Sequence, residues 1–261
     1  MIARSDEIDS GRTSVDMNQS AQSAMKLLSE IALAALLKVL AGVDSAQAQL
    51  SPLPAEPVRE NPLRIIDQWR VEDLAQRVPE TATVVASLDL SAVLINDAEW
   101  SRTTALEAII GAARILAQCG VRVRRVDFRL VEAPRQYRML FNPMSRQLAA
   151  AIRPSRPAVY FVQDTMNQPE FDAEAFGRSN SKTRPELTDS VWLTAKITDP
   201  GIALAHELAH VLMDDGAHVN EPGNLMRAET ALGNTRLSRE QCERLVSTGV
   251  ANDLLNALRP R

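Results

Sequence analysis

All three histidines of this 261-residue chain stand in one short run, HELAHVLMDDGAH, residues 206–218. Imidazole is the side chain most used for metal ligation and for proton transfer near neutral pH. A complete collection in one segment therefore points to one binding site. His206 and His210 are four residues apart, which on a helix puts both rings on one face, a turn apart, able to share a single metal ion. Glu207 lies beside His206 and projects toward the flank of the same site, within reach of water held by the metal. Neutral imidazole suits zinc, and catalytic zinc sites use three protein ligands and leave a position for water. The ion lowers that water's pKa to about 7, and the Glu207 carboxylate can take its proton.

A third ligand is required, and it is read as His218. The helix should end near Asp214-Asp215, with Gly216 allowing the backbone reversal that terminates helices. His218 follows two residues later and can swing back to the metal. Asp214 and Asp215 read as solvated groups or as residues standing just behind the ligands.

The elements that must position this run can be sketched from periodicity. Residues 202–213 carry a helical pattern after the break at Asp199-Pro200-Gly201. Before it, residues 81–90 are β-branched and apolar enough for a strand. Ser101 opens a helix with Leu106, Ile109, Ile110, Ala113 and Leu116 at helical spacing, and Gly120 sits where a helix C-terminus favours glycine. Residues 121–131, 158–162 and 191–197 read as further strands, separated by irregular stretches over 134–157 and 164–190, the latter including Phe176. Ser238, with Gln241 completing a capping box, starts a last helix. The fold class expected is α+β: a mixed twisted sheet in one domain, with an active-site helix, a long N-terminal helix and a C-terminal helix.

Composition narrows the function classes. Net charge is −4 and the pI is near 5.5, so there is no basic footprint for nucleic acid. Arg122, Arg124, Arg125 and Arg129 form a local basic cluster, but alternation with Val121 and Val123 reads as the wet face of a strand. Glycine patterns for nucleotides are absent. Residues 1–48 read as an N-terminal extension ending in a signal peptide: Lys26, an apolar stretch over 31–43, then Ala46-Gln47-Ala48. That stretch is too short for a stable membrane span, which takes roughly 20 apolar residues. Export to the periplasm or beyond is the expectation, with processing near Ala48. Residues 49–80 read as a proline-rich linker or N-terminal segment, and residues 81–261 as the catalytic domain. Cys119 and Cys242 are the only thiols; an exported chain often pairs two cysteines, and two buried free thiols are the alternative. Oligomeric state has no signature in the chain.

HELAHVLMDDGAH followed by Gly223-Asn224-Leu225-Met226 resembles the metzincin clan of zinc metallopeptidases. The resemblance implies zinc on His206, His210 and His218, Glu207 as general base, and Met226 as the methionine of a turn beneath the metal. It also implies a protein or peptide substrate, bound extended beside residues 191–197 as an added edge strand. One departure stands out. The usual pattern has glycine three residues after the second histidine and the third histidine six after it, whereas here Met213 holds the first position and His218 comes eight after His210. The gluzincin arrangement is a competing one, with a downstream glutamate such as Glu229 as third ligand. No tyrosine follows Met226, so transition-state stabilisation would rest mainly on the zinc and Glu207. Trp192 could line the cleft or belong to the core.

Two other function classes compete with this one. A zinc-binding, non-catalytic protein that uses a zincin fold to hold a partner would have no need of Glu207. A hydrolase with Cys119 or Cys242 as nucleophile lacks a spare histidine to serve as base.

Overall fold

Three strands with no exposed residue on either face need layers above and below them, and that requirement organises the domain. The computed structural model describes residues 63–72, 74–78, 82–140, 142–165, 173–178, 181–228 and 231–258. The extension and expected signal peptide (1–48), most of the proline-rich stretch (49–62) and Glu229 lie outside the described residues. Contacts divide the chain into Met1–Val58 and Arg59–Arg261, and every described residue falls in the second.

In chain order the elements are β1 (Arg64–Glu72), β2 (Ala86–Ile95), α1 (Arg102–Leu116), β3 (Val121–Glu132), β4 (Met139–Leu140), α2 (Asn142–Ile152), β5 (Ala158–Val162), β6 (Asp164–Thr165), β7 (Ala173–Phe176), β8 (Ser190–Thr194), α3 (Pro200–Met213), α4 (Arg239–Ala251) and β9 (Asn256–Ala257). The main sheet runs β1-β3-β2-β5-β8-β7, with β9 pairing the start of β2. Neighbours from β3 to β8 are parallel, while β1 and β7 close the two ends antiparallel. The fold is thus α+β with a mixed sheet. One face packs Leu88, Leu90, Ala92 and Leu94 of β2 against α1, α3 and α4. On the other, Val93, Ile95, Tyr160 and Trp192 pack against Leu148, Ala149 and Ile152 of α2. No helix among the described residues is long and apolar enough to cross a membrane.

Several expectations shift. The strand read over 81–90 lies at Ala86–Ile95, because the nearly continuous buried run continues past Leu90 to Ile95 and carries the strand deeper into the sheet. The stretch 134–157 is not wholly irregular: it holds α2, whose Pro143 sits in the first turn, where a missing N–H costs nothing. Within 164–190 lies β7. This changes the substrate edge. Strand 191–197 is not at the edge; β8 is buried throughout, flanked by β5 and β7, and residues 195–196 form a turn. Trp192 is fully buried and stacks on Tyr160 at 4.1 Å between ring centroids, so it is core. The basic cluster is a paired face: Arg124 and Arg125 both meet Asp89, and Arg125 also meets Asp127.

Two local devices fix the helix layer. Ser101 caps α1 by accepting the Thr104 N–H at 3.0 Å, and Gly120 (φ 72°) ends the turn after it, where a Cβ would lie 2.5 Å from the Thr83 carbonyl oxygen. That position requires glycine. Cys119 beside this turn and Cys242 on α4 form a disulfide, Cα atoms 4.8 Å apart, across 123 residues of sequence. Closing so long a loop stabilises the fold by about 4–5 kcal/mol in the chain-entropy account.

Helix α3 crosses α1 at a pair of glycines. A Cβ on Gly111 would meet the Gly201 Cα at 3.0 Å, backbone against backbone, so neither side can yield without separating the helices. Gly111→Val should therefore lower stability by about 1–3 kcal/mol, read as a lower midpoint in urea unfolding. An unchanged midpoint would show that the helices are not held in this close crossing.

Candidate metal centre

Helix α3 begins cleanly. Asp199 accepts the Ile202 N–H at 3.0 Å, and Pro200 stands at the first helical position. The helix is buried along most of its length, with Leu204, Leu208, Val211 and Leu212 in the core and His206 and His210 also buried. It ends beside Asp214-Asp215 as expected, but the residue that reverses the chain is a different one. The left-handed residue is Asp214 (φ 48°, ψ 44°), not Gly216, which lacks a positive φ and has open space where a Cβ would go. A short polar side chain tolerates this conformation better than most. The left-handed residue thus comes four residues after His210 and His218 four after that, so one of the two extra residues lengthens the helix and the other the turn.

The turn returns His218 to the helix. The three Nε2 atoms form a near-equilateral triangle: 3.0 Å from His206 to His210, and 3.2 Å from His218 to each. His206 donates its Nδ1–H to the Leu225 carbonyl at 2.6 Å, and His210 donates its own to the Asp215 carbonyl at 2.6 Å. Those bonds fix the tautomers and leave both Nε2 atoms as bare lone pairs. His218 has at most one Nε2 proton, so it can bond only one neighbour, yet all three contacts are short. A tetrahedral zinc site with Zn–N bonds of about 2.0–2.1 Å spaces its nitrogens roughly 3.3–3.4 Å apart. The donor set fits: His206, His210 and His218 can hold a metal ion.

Glu207 is on the rim, its side chain 14% exposed and its Oε1 3.9 Å from His206 Nε2. Burial pushes the His206 imidazole down from its ordinary 6.5 to about 4; the charges of His210 and His218 act in the same direction, and the bond to Leu225 opposes them. His210 is lowered as well, mainly by burial. Both rings are therefore neutral near pH 7, the state that ligates metals.

Met226 is 1% exposed in the main core, one residue after the carbonyl that orients His206. Its turn is tied down on several sides. The Met226 N–H donates to Asn224 Oδ1, whose amide nitrogen in turn donates to Gln241 Oε1 of the α4 capping box. Val219 N–H donates to the Met226 carbonyl, and Leu225 N–H to that of Arg236. Asp215 stands just behind the ligands, one of the two positions expected for it, and Leu225 and Asn224 are the contributors the sequence did not expose. Leu225 acts through its backbone carbonyl, which leaves no side-chain signature, and Asn224 acts from within the GNLM motif.

No protein-family model matches the chain, and no curated protein matches it. The comparison with solved structures finds a metalloproteinase. This is metalloproteinase-II from Bacteroides fragilis, with a TM-score of 0.44 and 16% sequence identity. The match covers 66% of this chain and 55% of that one, so it spans about half of that protein.

The His206 shift has a consequence for stability. Between about 4 and 6.5 the unfolded chain binds more protons at this position than the folded one, so stability rises with pH across that window and falls on acidification. In metal-stripped protein, the advantage of the parent over His206→Gln should shrink by up to about 3 kcal/mol from pH 7 to 4. Urea unfolding of both across that range checks this; a constant difference would contradict it.

Proposed function

We propose that the chain is a zinc-dependent endopeptidase. One observation carries the reading: three imidazole nitrogens converge within 3.0–3.2 Å while the Glu207 carboxylate stands 3.9 Å from one of them. His206, His210 and His218 would hold the ion. Bound zinc supplies Lewis-acid polarisation of the scissile carbonyl and lowers the pKa of water to about 7. Glu207 accepts the proton of the attacking water on a carboxylate oxygen and delivers it to the departing amine nitrogen. In this reading Met226 supports the site from the core beneath His206, as in the metzincins that the motif resembles.

Substrate alignment falls to β7. Among the described residues it has a neighbour on one side only, β8, so its outer edge offers backbone N–H and C=O groups to an extended peptide. Gly177, directly after β7, lies against the end of α3: a Cβ there would be 3.2 Å from Asp214 Oδ1. A peptide paired along β7 is thereby referenced to the helix that carries Glu207. We read the protein as exported to the periplasm or beyond, a setting in which a disulfide such as Cys119–Cys242 persists.

A diverse peptide library incubated with the zinc-loaded chain should be cut at internal bonds, with Glu207→Gln at least about 100-fold slower and equal to the parent in zinc content. If the parent leaves every peptide intact, or the variant cuts equally well, the endopeptidase reading fails. The zinc-loaded chain would then be a binding protein.

A further inference from the structure

Between the second and third ligands the chain takes a turn built around one carboxylate. Among the described residues Asp215 makes four contacts, three around that turn and one beyond it. Its N–H reaches the His210 carbonyl at 3.2 Å, and its own carbonyl accepts His210 Nδ1–H at 2.6 Å. One side-chain oxygen accepts the Ala217 N–H at 3.0 Å, fixing the residue just before His218. The other pairs with Arg244 Nη1 of α4 at 2.6 Å. One residue thus sets the ring of His210 and the approach of His218 together, and the only contact that leaves the turn goes to Arg244.

Arg244 stands on a fixed platform. Cys242, two positions earlier on α4, is bonded to Cys119 at the end of α1, and Leu245 of the same helix is buried in one core with Leu208 and Leu212 of α3. Gln241, also on α4, holds Asn224, whose turn presents the Leu225 carbonyl to His206. Helix α4 therefore steers the orientation of both buried ligands, through Gln241 on one side and through Arg244 on the other. The Arg244–Asp215 pair is half exposed, 52% and 28% by side chain. An ion pair of that kind contributes little to global stability. Its consequence is geometric: without the guanidinium the Asp215 carboxylate keeps its bond from the Ala217 N–H, but the turn loses its tie to α4.

We propose that Arg244, acting through Asp215, is a positioning residue for the metal ligands His210 and His218, so that the C-terminal helix sets the affinity and geometry of the site. This rests on reading the three histidines as a metal centre, and it does not depend on what the centre catalyses.

The test measures Zn2+ affinity of the full chain by competition with a chromophoric chelator, for the parent, Arg244→Ala, Arg244→Lys, Asp215→Asn and the Asp215→Asn/Arg244→Ala double variant. Arg239→Ala, which removes a solvent-facing pair with Glu243 on the same helix, is the control. Loss of a residue that orients a ligand costs about 10–100-fold in metal affinity, so Arg244→Ala should weaken zinc by about 10-fold. Its thermal midpoint in the metal-free state should stay near that of the parent. The double variant should be no weaker than the single ones, Arg244→Lys should recover most of the loss, and Arg239→Ala should match the parent. The visible spectrum of the Co2+-loaded chain should change in Arg244→Ala and return in Arg244→Lys. Equal zinc affinity in the parent and Arg244→Ala would overturn the proposal, as would losses that add in the double variant. A parent that takes up no zinc overturns the metal centre and this proposal together. Zinc binding that responds to Arg244 in a chain that cuts no peptide removes the endopeptidase reading and leaves this one standing.

Discussion

Three imidazole nitrogens facing one another at 3.0–3.2 Å are the constraint on which the rest of the domain turns. Two of them are bare lone pairs, because their rings spend the Nδ1 protons on the carbonyls of Leu225 and Asp215. Lone pairs aimed at a common point repel, and protonation is opposed by burial, which holds His206 down near 4. A cation between them removes the repulsion. Until it binds, the scaffold must hold the rings in place, and the covalent and packed ties around α3 do so. The Gly111–Gly201 crossing locks α3 to α1, and the Cys119–Cys242 bond locks α4 to the end of α1.

The sheet contributes in a different way. Its parallel strands β2, β5 and β8 are buried on both faces, so the polar work is left to the turns that follow them and to the antiparallel edge. Strand β8 leads into α3 and β7 runs beside β8, so the outer edge of β7 and the helix that carries His206 and His210 are set by one register. A protein that binds extended chains at a sheet edge has its specificity in side-chain pockets and its affinity in main-chain hydrogen bonds.

Much of this was legible in the sequence, and the reasons are local. His206, Glu207 and His210 stand on a helix because apolar residues recur at helical spacing around them and Asp199-Pro200 supplies the start. The Ser101 and Ser238 caps were readable for the same reason, since both ends are written in adjacent residues. Elements that depend on tertiary partners were not. Helix α2 was hidden by prolines that sit in its first turn and just beyond its end, and β7 is four residues long in a polar stretch. The left-handed turn at Asp214 was assigned to the nearby glycine, because composition favours glycine there while the hydrogen bonds to His210 and Val211 select Asp214. Arg244 could not be tied to the site at all, since 29 residues separate it from Asp215.

The most direct test of the central claim is X-ray absorption at the zinc edge on the full chain, purified without chelator and loaded with a single equivalent of Zn2+. The account predicts a shell of nitrogen and oxygen atoms at about 2.0–2.1 Å with the outer-shell scattering of three imidazoles. In His218→Ala the same spectrum should fit only two. Sulfur in the first shell, or a His218→Ala spectrum identical to that of the parent, would contradict it.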